Sequence, residues 1–199
     1  RCAARLAYLD GISGPDPVFR TIAGPIRASV SGSRVRVELT GPRDLTPELT
    51  VELEDGEVIN AGFVDTGVPH TVLTIEDGDL ETADVHGLGR QIRFHPRFAP
   101  AGTNVNFVRV VDPEHILVRT YERGVEAETL ACGTGVVASA IVAAARGLTS
   151  TAVTARTRGG DCLAVALDGP GPGLAGVSLE GEASLVYRAQ LTEETILGG

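Results

Sequence analysis

A chain of 199 residues is long enough for one large domain or two small lobes with real cores, and a formal net charge of −9 excludes broad binding to nucleic acid or an anionic membrane. All 17 of its formal cations are arginine, so no side chain can form a Schiff base with pyridoxal phosphate or a carbonyl substrate. The three cysteines, Cys2, Cys132 and Cys162, have no CxxC spacing, which excludes a disulfide framework or a zinc site and points to a reducing, cytoplasmic setting.

In chain order, Arg1–Leu9 has helical apolar spacing and stops at Asp10-Gly11. The chain starts inside this helix without an initiator methionine, so it reads as part of a longer product. Next come short β-rich runs, with "SVSGSRVRVEL" predicting a hairpin and "LTVELEDGEVINAGFVDTG" predicting another that turns at Asp55-Gly56. "VPHTVLTIED" predicts a strand, and "VHGLGRQIRFHPRFAPAG" a short helix followed by a loop. "TNVNFVRVVD" and "HILVRTYERG" form a strand pair joined near Pro113. A helix over Thr134–Arg146 is apolar on nearly every side, so it must be buried all round. Strands follow in "AVTARTRGGDCLAVAL", "GVSLEG" and "ASLVYRAQL", with Cys162 expected in the core. Many strands and few helices make the chain α+β, and a sheet curled about the apolar helix satisfies its need for burial. No apolar run is long enough to span a bilayer, and there is no signal peptide.

The residues that can carry chemistry cluster around "TYERGVEAETLACGTG". Cys132 stands before Gly133, Thr134 and Gly135 at the start of the apolar helix. The first amides of a helix have no intrahelical partner and carry partial positive charge, a seat for a carboxylate or phosphate. The same field would stabilise a thiolate, so Cys132 reads as a nucleophile or base; a small buried hydrophobe near a cap is the equal alternative. Glu122 and Arg123 read as a solvated corner or as a pair that holds a carboxylate and an ammonium or steers a thiol proton. His70, in "DTGVPH", is a structural histidine or the partner of Cys132 in a thiol–imidazole pair. Asn104 and Asn106, in "GTNVNF", are turn residues or hydrogen-bond a polar substrate. His86, His95 and His115 show no metal spacing.

These motifs resemble diaminopimelate epimerase. "TYERGVEAETLACGTGVVASAIVAAA" resembles the second catalytic segment of that family. "DTGVPH", "GTNVNF" and "RGGD" fall in the family's order, and "RCAARLAYLDG" looks like the continuation of its first cysteine motif, CGNGxRC. The resemblance implies a cofactor-independent epimerase of lysine biosynthesis, converting LL- to meso-diaminopimelate, often a homodimer. It implies two lobes, each a mixed sheet around a central helix, with the first lobe incomplete here. Residues 1–40 and a returning strand over 184–199 would belong to the first lobe, and 41–183, with its helix over about 134–146, to the second. By the same resemblance Cys132 is the second of two cysteines that face the α-carbon from opposite sides, one removing the α-proton and the other supplying one. His70 would assist the thiols. Glu122, Arg123 and Asn104 would contact substrate, and Gly133 with Thr134 would hold its carboxylate. Two departures accompany the likeness: Val68 stands where many members have asparagine, and Cys2 matches the later cysteine of CGNGxRC rather than the reactive one. The chain alone is therefore expected to be inactive. Rival readings are a proline or hydroxyproline racemase, a Cys132–His70 hydrolase and a binding protein for a small acid.

Overall fold

A helix with no polar face can be stable in water only if other elements enclose it. α3 (Gly133–Ala145) is that helix, and every residue from Gly135 to Ala144 is buried. In the computed structural model, which describes residues 1–22, 24–75, 80–171 and 173–190, a mixed sheet wraps around it. The first strands are β1 (Val18–Thr21), β2 (Gly24–Ser31), β3 (Arg34–Leu39), β4 (Arg43–Glu52), β5 (Val58–Asp65) and β6 (Pro69–Thr74). They are followed by β7 (Asn104–Asp112), β8 (His115–Glu122), β9 (Ala127–Thr129), β10 (Ala152–Thr157), β11 (Cys162–Leu167) and β12 (Val177–Glu182). Among the described residues their order across the sheet is β1-β2-β3-β12-β11-β10-β8-β7-β6-β5-β4, with β9 paired to β8.

Most neighbours are antiparallel hairpins. Two pairs are parallel, β6 with β7 and β8 with β10, and each needs a crossover. α2 (Gly87–Arg93) lies in the first crossover, and β9 with α3 in the second. The sheet from β5 to β8 is consequently covered on both faces, which explains the near-continuous apolar runs of its strands. On one face Val64, Val72, Val108 and Val118 pack with Val136, Ile141 and Val142 of α3. On the other, Leu73, Val105, Phe107 and Tyr121 pack with Ile92 of α2. Contact between α3 and β5 is close: a Cβ at Gly62 would come within 2.4 Å of Val142 Cγ1. A glycine-capped turn ends α3, with Gly147 N–H donating to the Ala144 carbonyl and Leu148 N–H to that of Ala143.

The α+β class and the sheet wrapped about a central helix match the expectation. Two local expectations fail. Cys162 is exposed, because the phase of β11 turns Leu163, Val165 and Leu167 inward and leaves the cysteine outside. The β-rich "ASLVYRAQL" forms no strand over residues 183–190: Ala183 N–H donates to the Ser33 carbonyl and Arg188 pairs with Asp10 at 2.6 Å, but Val186 and Tyr187 are exposed; its last residue, with the rest of the tail to 199, lies outside the described residues. α1 (Cys2–Leu9) packs on β2 and β3, which join the rest of the sheet through β12. No helix among the described residues is long and apolar enough to cross a membrane.

Candidate active site

The two parallel crossovers bring the chemistry to one end of α3. β8 runs toward that end and leads through β9 into the helix. β7 is antiparallel to β8, and β6 is parallel to β7, so both begin there. The starts of β6 and β7 carry His70, Asn104 and Asn106; the end of β8 carries Thr120 and Glu122, and Arg123 opens the turn that follows.

Cys132 is the N-cap of α3, with an extended backbone (φ −128°, ψ 106°), and its Sγ accepts the Gly135 N–H at 3.4 Å. The Thr134 hydroxyl lies 3.5 Å from the sulfur. Val136 N–H to the Cys132 carbonyl, at 2.9 Å, opens the helical ladder, so the N–H groups of Gly133 and Thr134 stand ahead of it, unspent on the helix. Cys132, Gly133 and Thr134 are half-buried, beside an exposed Leu130.

Burial pushes the Cys132 thiol above its ordinary value, and the nearby Glu122 carboxylate adds to the rise. The Thr134 hydroxyl and the Gly135 amide pull the other way and do not prevail. The helix-end contacts expected from the sequence are present, but burial outweighs them and favours the protonated thiol. A thiol held in its protonated form can give a proton.

Beneath the thiol lies a buried polar network. A Cβ on Gly135 would fall 2.3 Å from Asn106 Oδ1 and 3.2 Å from both Cys132 Sγ and Thr120 Oγ1, so only glycine lets the helix settle there. The amide of Asn106 donates to His70 Nδ1 at 3.1 Å and to the Thr71 carbonyl at 3.2 Å, and its Oδ1 accepts the Thr120 hydroxyl at 3.0 Å. His70 is wholly buried; burial, with the Arg123 guanidinium adding to it, lowers its pKa to about 3. Its Nε2 has no hydrogen-bond partner among the described residues.

Asn104 is buried as well. It donates to the Pro69 carbonyl at 3.0 Å and accepts the backbone N–H of Arg123 at 2.9 Å, tying the start of β6 to the end of β8. That fixes the turn bearing Glu122 and Arg123. Arg123 Nη1 donates to the Ala101 carbonyl at 3.0 Å, and no described carboxylate pairs with this guanidinium. Glu122 is half-buried; its carbonyl accepts the Glu126 N–H at 2.8 Å, while its carboxylate makes no hydrogen bond or ion pair with any described residue. An unpaired cation, an unpaired carboxylate and the helix-end amides of Gly133 and Thr134, the latter also turned toward the Cys132 sulfur, together fit an amino acid that carries more than one charged group. Val68 contributes its carbonyl, which accepts the Thr66 N–H at 3.1 Å.

Sequence reasoning missed a second support. Arg119, nearly buried in β8, makes a bidentate pair with Glu128 of β9 at 2.7 and 2.8 Å and donates to the Leu80 and Glu81 carbonyls. Gly159 N–H to the Leu130 carbonyl, at 2.7 Å, holds the next turn. The segment leading to Cys132 is thus clamped on both sides. An arginine inside the apolar "HILVRTYE" was the available signal, since a buried guanidinium needs a carboxylate. Among the described residues, no three His, Cys, Asp or Glu side chains gather as metal ligands.

The family model for diaminopimelate epimerase matches residues 62–186, a span that contains every one of these site residues. The chain belongs to the diaminopimelate epimerase family. It is 54% identical over 144 residues to the diaminopimelate epimerase of Aquifex aeolicus, covering 71% of this chain and 50% of that protein. Against the Hydrogenobaculum sp. diaminopimelate epimerase the identity is 49% over 142 residues, covering 71% and 51%. The chain therefore spans about half the length of the curated relatives it matches. Among solved structures, a probable proline racemase from Agrobacterium radiobacter K84 superposes with a TM-score of 0.71 at 18% identity, over 96% of this chain and 66% of that one. A hydroxyproline epimerase from Agrobacterium vitis gives a TM-score of 0.65 at 18% identity, over 91% and 62%. At that identity the likeness is one of fold.

Proposed function

We propose that this chain supplies the Cys132 half of a cofactor-independent epimerase that interconverts LL- and meso-diaminopimelate in lysine biosynthesis. The observation that carries the reading is the half-buried Cys132 sulfur at the mouth of α3, beside the Gly133 and Thr134 amides that the helix does not use and near the Glu122 and Arg123 side chains, which pair with no described charged group. The substrate α-carboxylate lies against the two amides. Arg123 takes a carboxylate and Glu122 an ammonium group or the Cys132 proton.

A thiolate from a second cysteine, which this sequence does not contain at a matching position, removes the α-proton. The electron pair of the broken C–H bond stays on the α-carbon and delocalises into the carboxylate, where the helix-end amides stabilise the growing charge. Cys132 then gives its S–H proton to the opposite face and becomes the thiolate. The reverse reaction restores both sulfurs.

α1 and β1–β3 make up the remainder of a first lobe, and residues 41–183 form the second. The working protein is a cytoplasmic homodimer, and the 199-residue chain by itself is inactive. The racemase alternative has weaker support: the curated relatives at 54%, 49% and 41% identity from Aquifex aeolicus, Hydrogenobaculum sp. and Chlorobaculum tepidum are diaminopimelate epimerases, whereas the racemase-like structures share fold at 18%. Titration of the 15N-labelled chain with meso-diaminopimelate tests the reading. Shifts centred on the Gly133, Thr134 and Arg123 amides support it; shifts of those amides with proline alone overturn it.

A further inference from the structure

Resting on the epimerase reading, we infer that Asn106 is a positioning residue that fixes the single proton of His70 on Nε2, making His70 a hydrogen-bond donor and removing it from the role of base. The orientation of the Asn106 amide follows from its neighbours. The Thr71 carbonyl, 3.2 Å away, can only accept, so it must face the NH2 end. The Thr120 hydroxyl closes the oxygen end at 3.0 Å. That same NH2 group lies 3.1 Å from His70 Nδ1.

An amide nitrogen has protons to give there and no lone pair to offer. Nδ1 must therefore present its own lone pair, and a neutral imidazole with an unprotonated Nδ1 carries its proton on Nε2. Protonating Nδ1 would set two N–H groups against each other at a fully buried position, with the Arg123 charge nearby.

A general base needs a free lone pair facing the proton it takes. His70 has none: the Nδ1 lone pair is filled by Asn106, and Nε2 bears the proton. His70 therefore cannot strip Cys132 or the substrate, which rules out the Cys132–His70 hydrolase. What it can do is donate from Nε2, a buried atom for which no described residue supplies an acceptor. Asn106 also reaches the thiol side of the site. Its Oδ1 sits over Gly135, whose N–H donates to Cys132 Sγ. One side chain thus sets the histidine tautomer and forms the bed for the helix turn that holds the sulfur.

The test is long-range 1H–15N correlation spectroscopy of the whole chain labelled with 15N-histidine, which separates the Nε2–H tautomer, the Nδ1–H tautomer and the imidazolium. The expected spectrum at pH 7.5 and at pH 5 shows His70 neutral and protonated at Nε2. A proton on Nδ1 at pH 7.5, or an imidazolium at pH 5, overturns the inference. In Asn106→Asp, the residue opposite Nδ1 can only accept, so the proton should move to Nδ1 or the ring should become charged at pH 7.5. An unchanged tautomer in a folded Asn106→Asp chain would also overturn it, because a merely structural asparagine would leave the proton where it was. These spectra need no substrate and no turnover. Failure here leaves the epimerase reading standing, and failure of diaminopimelate to bind or exchange leaves the tautomer assignment standing.

Discussion

Replacing Gly135 with alanine tests the packing of the site. In an open helix this change would gain about 1 kcal/mol of helix propensity. Here the new Cβ would lie 2.3 Å from Asn106 Oδ1, and 3.2 Å from Cys132 Sγ and Thr120 Oγ1. Asn106 cannot yield without loosening its bonds to His70, Thr71 and Thr120, all buried. Overpacking costs about 1–3 kcal/mol, and a buried polar group that loses its partner costs about 1–3 kcal/mol more. These costs exceed the helix gain by about 1–5 kcal/mol, a fall in Tm of at least about 2–4 °C for a domain of this size. Gly133→Ala is the control, because its Cβ would meet only the flexible tip of Leu179, at 3.2 Å. Thermal unfolding followed by circular dichroism reads both. A Gly135→Ala chain as stable as its parent would refute the described contact between α3 and Asn106.

Other predictions concern charge and burial. Iodoacetamide alkylation of Cys132 should have its pH midpoint above that of a free thiol. Glu122→Gln should lower that midpoint, since a negative neighbour that disfavours the thiolate is gone; an unmoved midpoint would place Glu122 elsewhere. His70 titrates at about 3 when folded and near 6.5 when unfolded, so below pH 6.5 the unfolded chain binds the extra proton. Its contribution is complete above that pH and falls by about 1.4 kcal/mol per unit as pH drops toward 3. Urea unfolding at pH 7.5 and 5.0 should show a loss of about 2 kcal/mol from this source, absent in His70→Asn; equal pH slopes would contradict a buried neutral histidine. Arg119→Ala leaves the part-exposed Glu128 carboxylate with only Arg158, 3.9 Å away, and should cost about 1–3 kcal/mol, whereas Arg34→Ala, which breaks the exposed pair with Glu180, should cost under about 1 kcal/mol. Similar losses in the two would mean that the Arg119 pair is not effectively buried.

The sequence exposed those features whose physics is local. α3 was visible because a helix without a polar face admits one environment, and the Cys132-Gly-Thr-Gly turn because small residues at a helix start expose its amides. The hairpins at Gly32 and Asp55-Gly56 carried their own turn residues. Cys162 was misplaced because "CLAVAL" is apolar in both strand phases, so alternation alone cannot say whether the cysteine or Leu163 faces the core. "ASLVYRAQL" had strand composition but needed a neighbouring edge, which composition does not report. β9 is three residues long, too short for any period. The His70–Asn106 contact depends on the parallel pairing of β6 with β7, set by a crossover through α2 that no short motif encodes. The balance of effects at Cys132 was not legible for a related reason. The helix-end field is legible in sequence, but the burial of the sulfur and the approach of Glu122 arise only when β8 and α3 meet.

The central claim is that Cys132 hands a proton to the α-carbon of diaminopimelate. The direct measurement joins this chain behind the N-terminal half of the Aquifex aeolicus relative, incubates it with LL-diaminopimelate in D2O and follows the α-position by NMR. The account predicts deuterium at that carbon and formation of the meso isomer, with no exchange from proline, and loss of both signals in Cys132→Ser. Exchange and epimerisation that persist without the Cys132 thiol would contradict it.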